Sequence, residues 1–255
     1  MARILITGKN GYIARGLANK LKEKHSIIGI GRDDFDLTDR EATNEWFKDK
    51  YFDVIIHTAI SGGNRLKQED GEVFFKNLSM FYNLLANQDK FGQLISFGSG
   101  AELGYPSDPY GLSKNIIHRI IQNEVKFNNI RVFAVFDENE LDRRFITPNI
   151  KRYINKQPLI VHQNKLMDFF YMEDLVSIVE YIIFNPQVKE IDCTYPLSYS
   201  LYDIAFLINE LSDYKCEIKV EQKGLGKHYT GEYKNLNIPF IGLEKAIKQI
   251  YEKLN

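Results

Sequence analysis

The sequence is poor in cysteine, tryptophan and proline, and neither sign of charge is in excess. Cys193 and Cys216 are its two cysteines. They fall outside any Cys-x-x-Cys spacing and have no histidine cluster beside them, so reduced thiols are expected rather than a disulfide, a zinc site or a catalytic thiol. No metal site is expected. Lys+Arg number 33 against 34 Asp+Glu, a balance that argues against nucleic-acid or membrane partners held by bulk charge. Apolar runs such as VSIVEYIIF fall far short of the ~20 residues of a membrane-spanning helix. The opening MARILITG runs directly into a strand pattern, which predicts no signal peptide and a cytoplasmic location. What is present is ordinary: 255 residues, 44% apolar and 26% charged, enough to bury a full core.

Short apolar runs alternate with amphipathic stretches through the first half. ARILITG, HSIIGIG, FDVIIHTA, GQLISFGS and IRVFAVF read as strands. YIARGLANKLKEK, REATNEWFKD, GEVFFKNLSMFYNLLANQ and PYGLSKNIIHRIIQNEV read as helices between them. The alternation predicts an α/β fold with a doubly wound parallel sheet, its strands apolar because both faces are covered. After about residue 137 the rhythm loosens. ENELDRRFITPNIKRYINKQ reads as polar and helix-prone. EDLVSIVEYIIF, SLYDIAFLINELSDY and GLEKAIKQIYEKL read as helices, with PLIV, EIDCTYP and CEIKVEQ as strands. The expected division is a dinucleotide-binding domain over 1–137 and a mixed segment over 138–255 that completes the sheet and forms a small lobe.

The first strand ends in Thr7-Gly8-Lys9-Asn10-Gly11-Tyr12-Ile13-Ala14, and a helix follows. Gly8 permits the tight turn, Gly11 lets backbone approach a pyrophosphate, and Ala14 is small enough for close helix–sheet contact. The helix start offers N–H groups and a positive dipole to phosphates. This is the pattern of a Rossmann-type dinucleotide site, with Gly8, Lys9, Asn10, Gly11, Tyr12 and Ile13 around the phosphates. The second strand runs into Gly31-Arg32-Asp33-Asp34-Phe35-Asp36-Leu37. An acidic residue here suits a free ribose 2′-OH and an arginine suits a 2′-phosphate. Arg32 points one way, Asp33 and Asp34 the other, and the balance favours NADP(H) over NAD(H). Asp36 and Leu37 are candidates to bracket the adenine, with helix capping by Asp36 or Thr38 as the alternative.

Tyr110-Gly-Leu-Ser-Lys114 opens the fourth helix. An i, i+4 pair shares one helix face, so the ammonium can lower the pKa of the phenol and hold a ribose, while the phenol exchanges a proton with a carbonyl oxygen. Ser99, at the end of the preceding strand, is placed to hydrogen-bond the same oxygen.

Together these motifs resemble the extended short-chain dehydrogenase/reductases, and within them the NAD-dependent epimerase/dehydratase family acting on nucleotide sugars. Lys76-Asn77-Leu78-Ser79 is similar to that family's Asn-Val-x-Gly stretch, and Leu166 to Asp174 to its Arg-Asp-Phe-Val-Tyr-Val-x-Asp segment. The likeness covers about residues 2–182 and is fainter beyond. It implies a small C-terminal lobe for the nucleotide sugar and Ser99, Tyr110 and Lys114 as the catalytic residues. It also implies Ala59 as a cofactor-lining position, and a homodimer seam built from the helix of Phe74, Phe75, Phe81 and Tyr82 with the helix after Tyr110. Core packing of those rings is the alternative.

Departures narrow the expected chemistry. The sugar dehydratases of the family carry an Asp-Glu pair after the serine or threonine; here stand Gly100 and Ala101, which cannot move a proton. The epimerising reductases carry a cysteine where Ala101 stands. Simple carbonyl reduction needs neither. The resemblance therefore implies reduction of a nucleotide-linked 4-keto-6-deoxy sugar, with a 4-epimerase holding NAD tightly as one alternative and a non-catalytic dinucleotide sensor as another. Ser99 and Tyr110 are only 11 positions apart, about half the family's usual separation, which implies a more open site.

Other residues are read more openly. Asn77 is expected either to orient the cofactor region through a water or to face solvent. Arg143, Arg144, Lys151, Arg152 and Lys165 suit either a diphosphate or a solvated face. His57, His118 and His162 lack metal spacing, and Asp168 and Asp174 read as structural.

Overall fold

A computed structural model describes residues 1–63, 69–104 and 106–255. The chain divides into two compact units. One is Met1–Arg131 with Ile178–Ile191, and the other is Val132–Ser177 with Asp192–Asn255. The first break between the units falls at Arg131/Val132, and a later stretch returns to the first unit.

The first unit opens with β1 (Arg3–Thr7), α1 (Tyr12–Leu21), β2 (Ser26–Ile30), α2 (Arg40–Phe47), β3 (Phe52–His57) and α3 (Gly71–Ala86). β4 (Phe91–Ser99), α4 (Pro109–Asn123) and β5 (Phe127–Val132) follow. With β9 (Glu190–Asp192) the strands form a six-stranded sheet in the order β2-β1-β3-β4-β5-β9. β1 pairs in parallel with β2 and β3, and β3 with β4. The chain passes from β1 to β2 on one side and returns to β3 on the other. The C-terminal ends of β1 and β3 thus flank a topological switch point, where such sheets bind ligands.

Sequence periodicity explains the layers. Ala14, Leu17 and Leu21 of α1 are buried, one stripe at helical spacing. Against one face of the sheet, Leu5, Ile55 and Leu94 meet Phe47, Phe52, Phe81, Leu84, Ile117, Ile121 and Phe127 in a single core. Phe81 is buried, but Phe75 is 68% and Tyr82 61% exposed. The aromatic helix α3 is therefore part core and part surface, and core packing alone does not account for its rings.

The fifth strand differs from expectation. IRVFAVF is two elements: β5 starts earlier, at Phe127, and β6 (Val135–Phe136) is separate, pairing with β8 (Phe170–Tyr171). Asn128 and Asn129 lie outside the expected strand, yet they enter β5, where their side chains find partners in the interior. Asn128 binds Gln93, Pro186 O and Val188 O, and Asn129 binds Glu102. Buried amides with their hydrogen bonds made are tolerated.

The second unit contains β6, α5 (Ile146–Ile154), β7 (Leu159–Gln163), β8, α7 (Leu201–Asn209), β10 (Ile218–Gln222) and α8 (Leu243–Leu254). The unit boundary falls within α6 (Met172–Phe184). Only Ile146–Ile154 of the helix-prone stretch is helical. β7 and β10 pair in parallel. Asp174 pins this unit by accepting Tyr195 Oη at 2.5 Å and the Ile241 and Gly242 N–H groups at 2.8 and 3.0 Å. Asp168 likewise accepts Ser198 Oγ at 3.0 Å and the Gly231 N–H at 2.8 Å. Among the described residues no helix is long and apolar enough to cross a membrane, and no cluster of His, Cys, Asp or Glu suits a metal ion.

Candidate active site

The loop after β1 is shaped by one close approach. Gly8 has φ +72°, and a Cβ there would stand 2.8 Å from Ala59 Cα. Only glycine combines that backbone with that contact. Behind it, Thr7 Oγ1 lies 2.9 Å from His57 Nδ1 and accepts the Ala59 N–H at 3.2 Å. Thr58 Oγ1 donates to Thr7 O at 2.6 Å. Burial pushes the His57 pKa down to about 3, so the ring is a neutral brace tying the ends of β1 and β3. Gly11 is the N-cap of α1, and the helix has neither a side-chain cap nor an acidic residue in its first turn. Its N–H groups and dipole therefore suit an anion. Tyr12 and Ile13 form that first turn and Ala14 is buried behind it.

A cavity of about 380 Å³ opens beside this loop, lined among others by Gly8, Arg32, Asp36, Leu37 and Ala59. These five sequence-derived candidates are thus brought together. Lys9 and Asn10 are not among the lining residues. Lys9 Nζ sits 2.8 Å from Asp33 Oδ2 and 2.6 Å from Asp34 Oδ2, and Asn10 Nδ2 donates to Asp33 Oδ1 at 3.3 Å. Asp36 accepts from the backbone N–H and hydroxyl of Thr38, which holds its carboxyl below the usual range. The cap of α2 is instead Asp39, whose side chain accepts the Ala42 N–H. A glycine bend, a bare helix start and an adjoining cavity with one guanidinium fit a dinucleotide.

The second group of candidates surrounds the end of β4. Asp108 caps α4, accepting the Gly111 N–H at 2.7 Å, and Pro109 opens the helix. Tyr110 follows, half-buried. Its ring lies against Gly63: a Cβ on Gly63, which has φ +76°, would stand 3.1 Å from Tyr110 Cε2 and 3.2 Å from Cζ. The Gly63 N–H donates to Glu69 Oε1. Lys114 is buried, and its Nζ donates to Phe97 O at 2.5 Å. Burial pulls its pKa down to about 8, with the Glu102 carboxylate holding it up. The short connection between Ser99 and Tyr110 works by contact. A Cβ on Gly111 would meet Ala101 O at 2.7 Å, so the first turn of α4 rests directly on the turn after Ser99.

Ser99 is buried, and its Oγ accepts the Ala101 N–H at 3.2 Å. Its backbone N–H donates to Glu102 Oε2 at 3.0 Å, completing a capping box. Glu102, which no motif marked, braces the turn after Ser99. Its other oxygen accepts from Asn129 Nδ2 and Arg131 Nε, both at 2.8 Å. The Ser-x-x-Glu spacing was the available signal. Asn77 also departs from both readings offered for it. It is buried, accepts the Ser61 N–H at 2.8 Å, and donates to Ser61 O at 3.1 Å and Ser113 Oγ at 3.0 Å. It therefore clamps the loop before Gly63 to α4 directly. His118 Nδ1 lies 3.6 and 3.5 Å from Glu102 and Glu190, and exposed His162 pairs with Glu221.

A doubly wound parallel sheet with a phosphate-type loop at its switch point, and a Tyr-x-x-x-Lys helix beside the next strand end, define an extended short-chain dehydrogenase/reductase. The chain belongs to the NAD dependent epimerase/dehydratase family, whose model matches residues 4–195. It is 25% identical over 233 residues to protein CapI of Staphylococcus aureus, covering 72% of this chain and 70% of that one. Two solved structures share the fold. The GDP-mannoheptose C4 reductase MlghC of Campylobacter jejuni, with NADP bound, has a TM-score of 0.79 at 14% identity, covering 99% and 98% of the two chains. The UDP-glucose 4-epimerase of Thermus thermophilus in complex with NAD has a TM-score of 0.77 at 16% identity, covering 98% of each.

Proposed function

We propose that the protein reduces a nucleotide-linked 4-keto-6-deoxy sugar with NADPH. The observation that carries this reading is the cavity at the end of β2, where Arg32 is among the lining residues while Asp33 and Asp34 are drawn onto Lys9. That arrangement suits a 2′-phosphate better than a free ribose diol. A cofactor so recognised fits a reductase that exchanges it at each turnover more than an epimerase that retains NAD. Loss of water from the sugar is disfavoured, since Gly100 and Ala101 carry no acid or base. Glu102 is turned inward onto Arg131.

In this reading Gly8, Gly11 and the first turn of α1 hold the pyrophosphate, and Arg32, Asp36, Leu37 and Ala59 enclose the adenosine end. The bound dinucleotide supplies the hydride. Tyr110 gives its phenolic proton to the developing alkoxide, Ser99 hydrogen-bonds that oxygen, and Lys114 holds the nicotinamide ribose and favours the ionised phenol. The expected assembly is a homodimer through the α3 and α4 surface.

The test is a panel of nucleotide-linked 4-keto sugars with NADPH, read as loss of reduced-nicotinamide absorbance. A stoichiometric NAD that survives gel filtration, with no net NADPH consumption on any keto sugar, would replace the reductase by the epimerase.

Two further results are expected. Lys114 loses its proton near pH 8, so kcat/KM should hold below that pH and decline above it. The same lowered pKa makes the lysine's contribution to folding stability rise with pH between about 8 and 10.5. A profile flat to pH 10 would show, within about a unit, that the charge on Lys114 is unimportant. Gly63→Ala puts a methyl group against the Tyr110 ring at a backbone angle that disfavours it. Displacing a phenol by a fraction of an ångström should lower kcat about tenfold or more, with NADPH affinity little changed.

A further inference from the structure

The acidic residues at the end of β2 are occupied within the protein. Asp34 Oδ2 accepts both Lys9 Nζ at 2.6 Å and the Gly31 N–H at 2.8 Å. Asp33 offers Oδ2 to Lys9 at 2.8 Å and Oδ1 to Asn10 at 3.3 Å. Asp36 is folded onto Thr38. Lys9 reaches this position because two glycines leave it a path. A Cβ on Gly29 would lie 3.0 Å from Lys9 Cβ, and one on Gly31 would lie 3.3 Å from Lys9 Cγ. Arg32 sits between these groups in sequence and lines the cavity. Its charge reaches Asp36 only over distance.

We propose that Lys9 is a specificity-determining residue that works as an internal counter-ion: by holding Asp33 and Asp34 it leaves the Arg32 end of the cavity able to accept a 2′-phosphate. The inference rests on the NADPH reading given above and explains how a strand end carrying two aspartates escapes the usual preference for a free 2′-OH. Contact with Lys9 holds both aspartates below the ordinary carboxylate range and raises the lysine. All three groups therefore stay charged across neutral pH, and the pairing persists wherever the cofactor is bound. As exposed ion pairs they add little to stability. Their effect falls on the ligand, because a phosphate monoester brings a charge of about −1.5 to −2. Without Lys9 that charge would face two uncompensated carboxylates, and such juxtaposition of like charges is strongly unfavourable.

The test measures Kd for NADPH and NADH by nicotinamide fluorescence on three proteins: wild type, Lys9→Met, and Lys9→Met combined with Asp33→Asn and Asp34→Asn. The wild type should bind NADPH more tightly. Lys9→Met should weaken NADPH by about tenfold or more while NADH changes less than about threefold. The triple variant should recover NADPH affinity to within about threefold of wild type. Unchanged thermal midpoints would confirm that all three proteins are folded. A triple variant as weak as Lys9→Met would show that Lys9 acts by touching the phosphate, and would overturn the inference. So would an unchanged NADPH/NADH ratio in Lys9→Met. A wild type that prefers NADH removes the NADPH reading and this inference with it, whereas failure in the variants alone leaves that reading intact.

Discussion

Tyr110→Phe should cut turnover by roughly 10²–10⁴-fold and leave NADPH affinity within about threefold of wild type. The substitution deletes one oxygen and keeps the ring. The face that lies against Gly63 is retained, Ser113 Oγ still donates to the backbone carbonyl of residue 110 at 2.7 Å, and Lys114 still donates to Phe97 O. These contacts hold α4 in place. In the proposed mechanism the main loss is therefore the proton that Tyr110 supplies. Single-turnover decay of nicotinamide absorbance on a 4-keto substrate reads this step directly. Retention of more than a tenth of the wild-type rate would mean that another group is the acid. A dinucleotide sensor would show a different pattern: cofactor binding unaltered by the substitution and no turnover in either protein.

Glu102→Ala should lower stability by about 3 kcal/mol and the thermal midpoint by roughly 6–12 °C for a chain of this size. The carboxylate is 2% exposed and accepts three hydrogen bonds, from Ser99 N, Asn129 Nδ2 and Arg131 Nε. Its removal strips a largely buried guanidinium of one partner and takes away the carboxylate that accepts the Ser99 N–H. Arg131 keeps its contact to Glu190 at 3.1 Å, which places the cost at the low end for a broken buried pair. Differential scanning calorimetry measures the shift. A change below 2 °C would mean that water enters and replaces the carboxylate at little cost. Glu102→Gln should fall between the two proteins. It preserves shape and one acceptor, but it turns an amide NH₂ toward other donors.

Much of the fold was legible because the alternation of strands and helices in the first half is written in period 2 and period 3.6. The turn after β1 was legible because its glycines sit between a strand and a helix, and the placing of Tyr110 and Lys114 on one helix because four residues make about one helical turn. The rest depends on partners distant in sequence. Nothing local shows that Lys9 reaches across the loop to Asp33 and Asp34, which is why the strand end read as ambiguous. The early start of β5 at Phe127 was not visible because the partners of Asn128 and Asn129 are distant in sequence. Asn77 read as solvent-facing or water-linked because Ser61 and Ser113 are remote in the chain. Glu102 was visible as the last residue of a Ser-x-x-Glu box.

The tight bend between Ser99 and α4 makes this chain a natural acceptor for grafted segments. Leu103, Gly104, Ser107 and Asp108 are exposed, while the Gly111–Ala101 approach fixes the bend at its base. Residues added between Ser107 and Asp108 would extend from exposed positions, and each doubling of such a loop costs only about 0.6 kcal/mol in closure entropy. If the proposed reduction holds, transplanted loops of varied composition at that point would offer a route to retailor which sugars are accepted while leaving Ser99, Tyr110 and Lys114 in place.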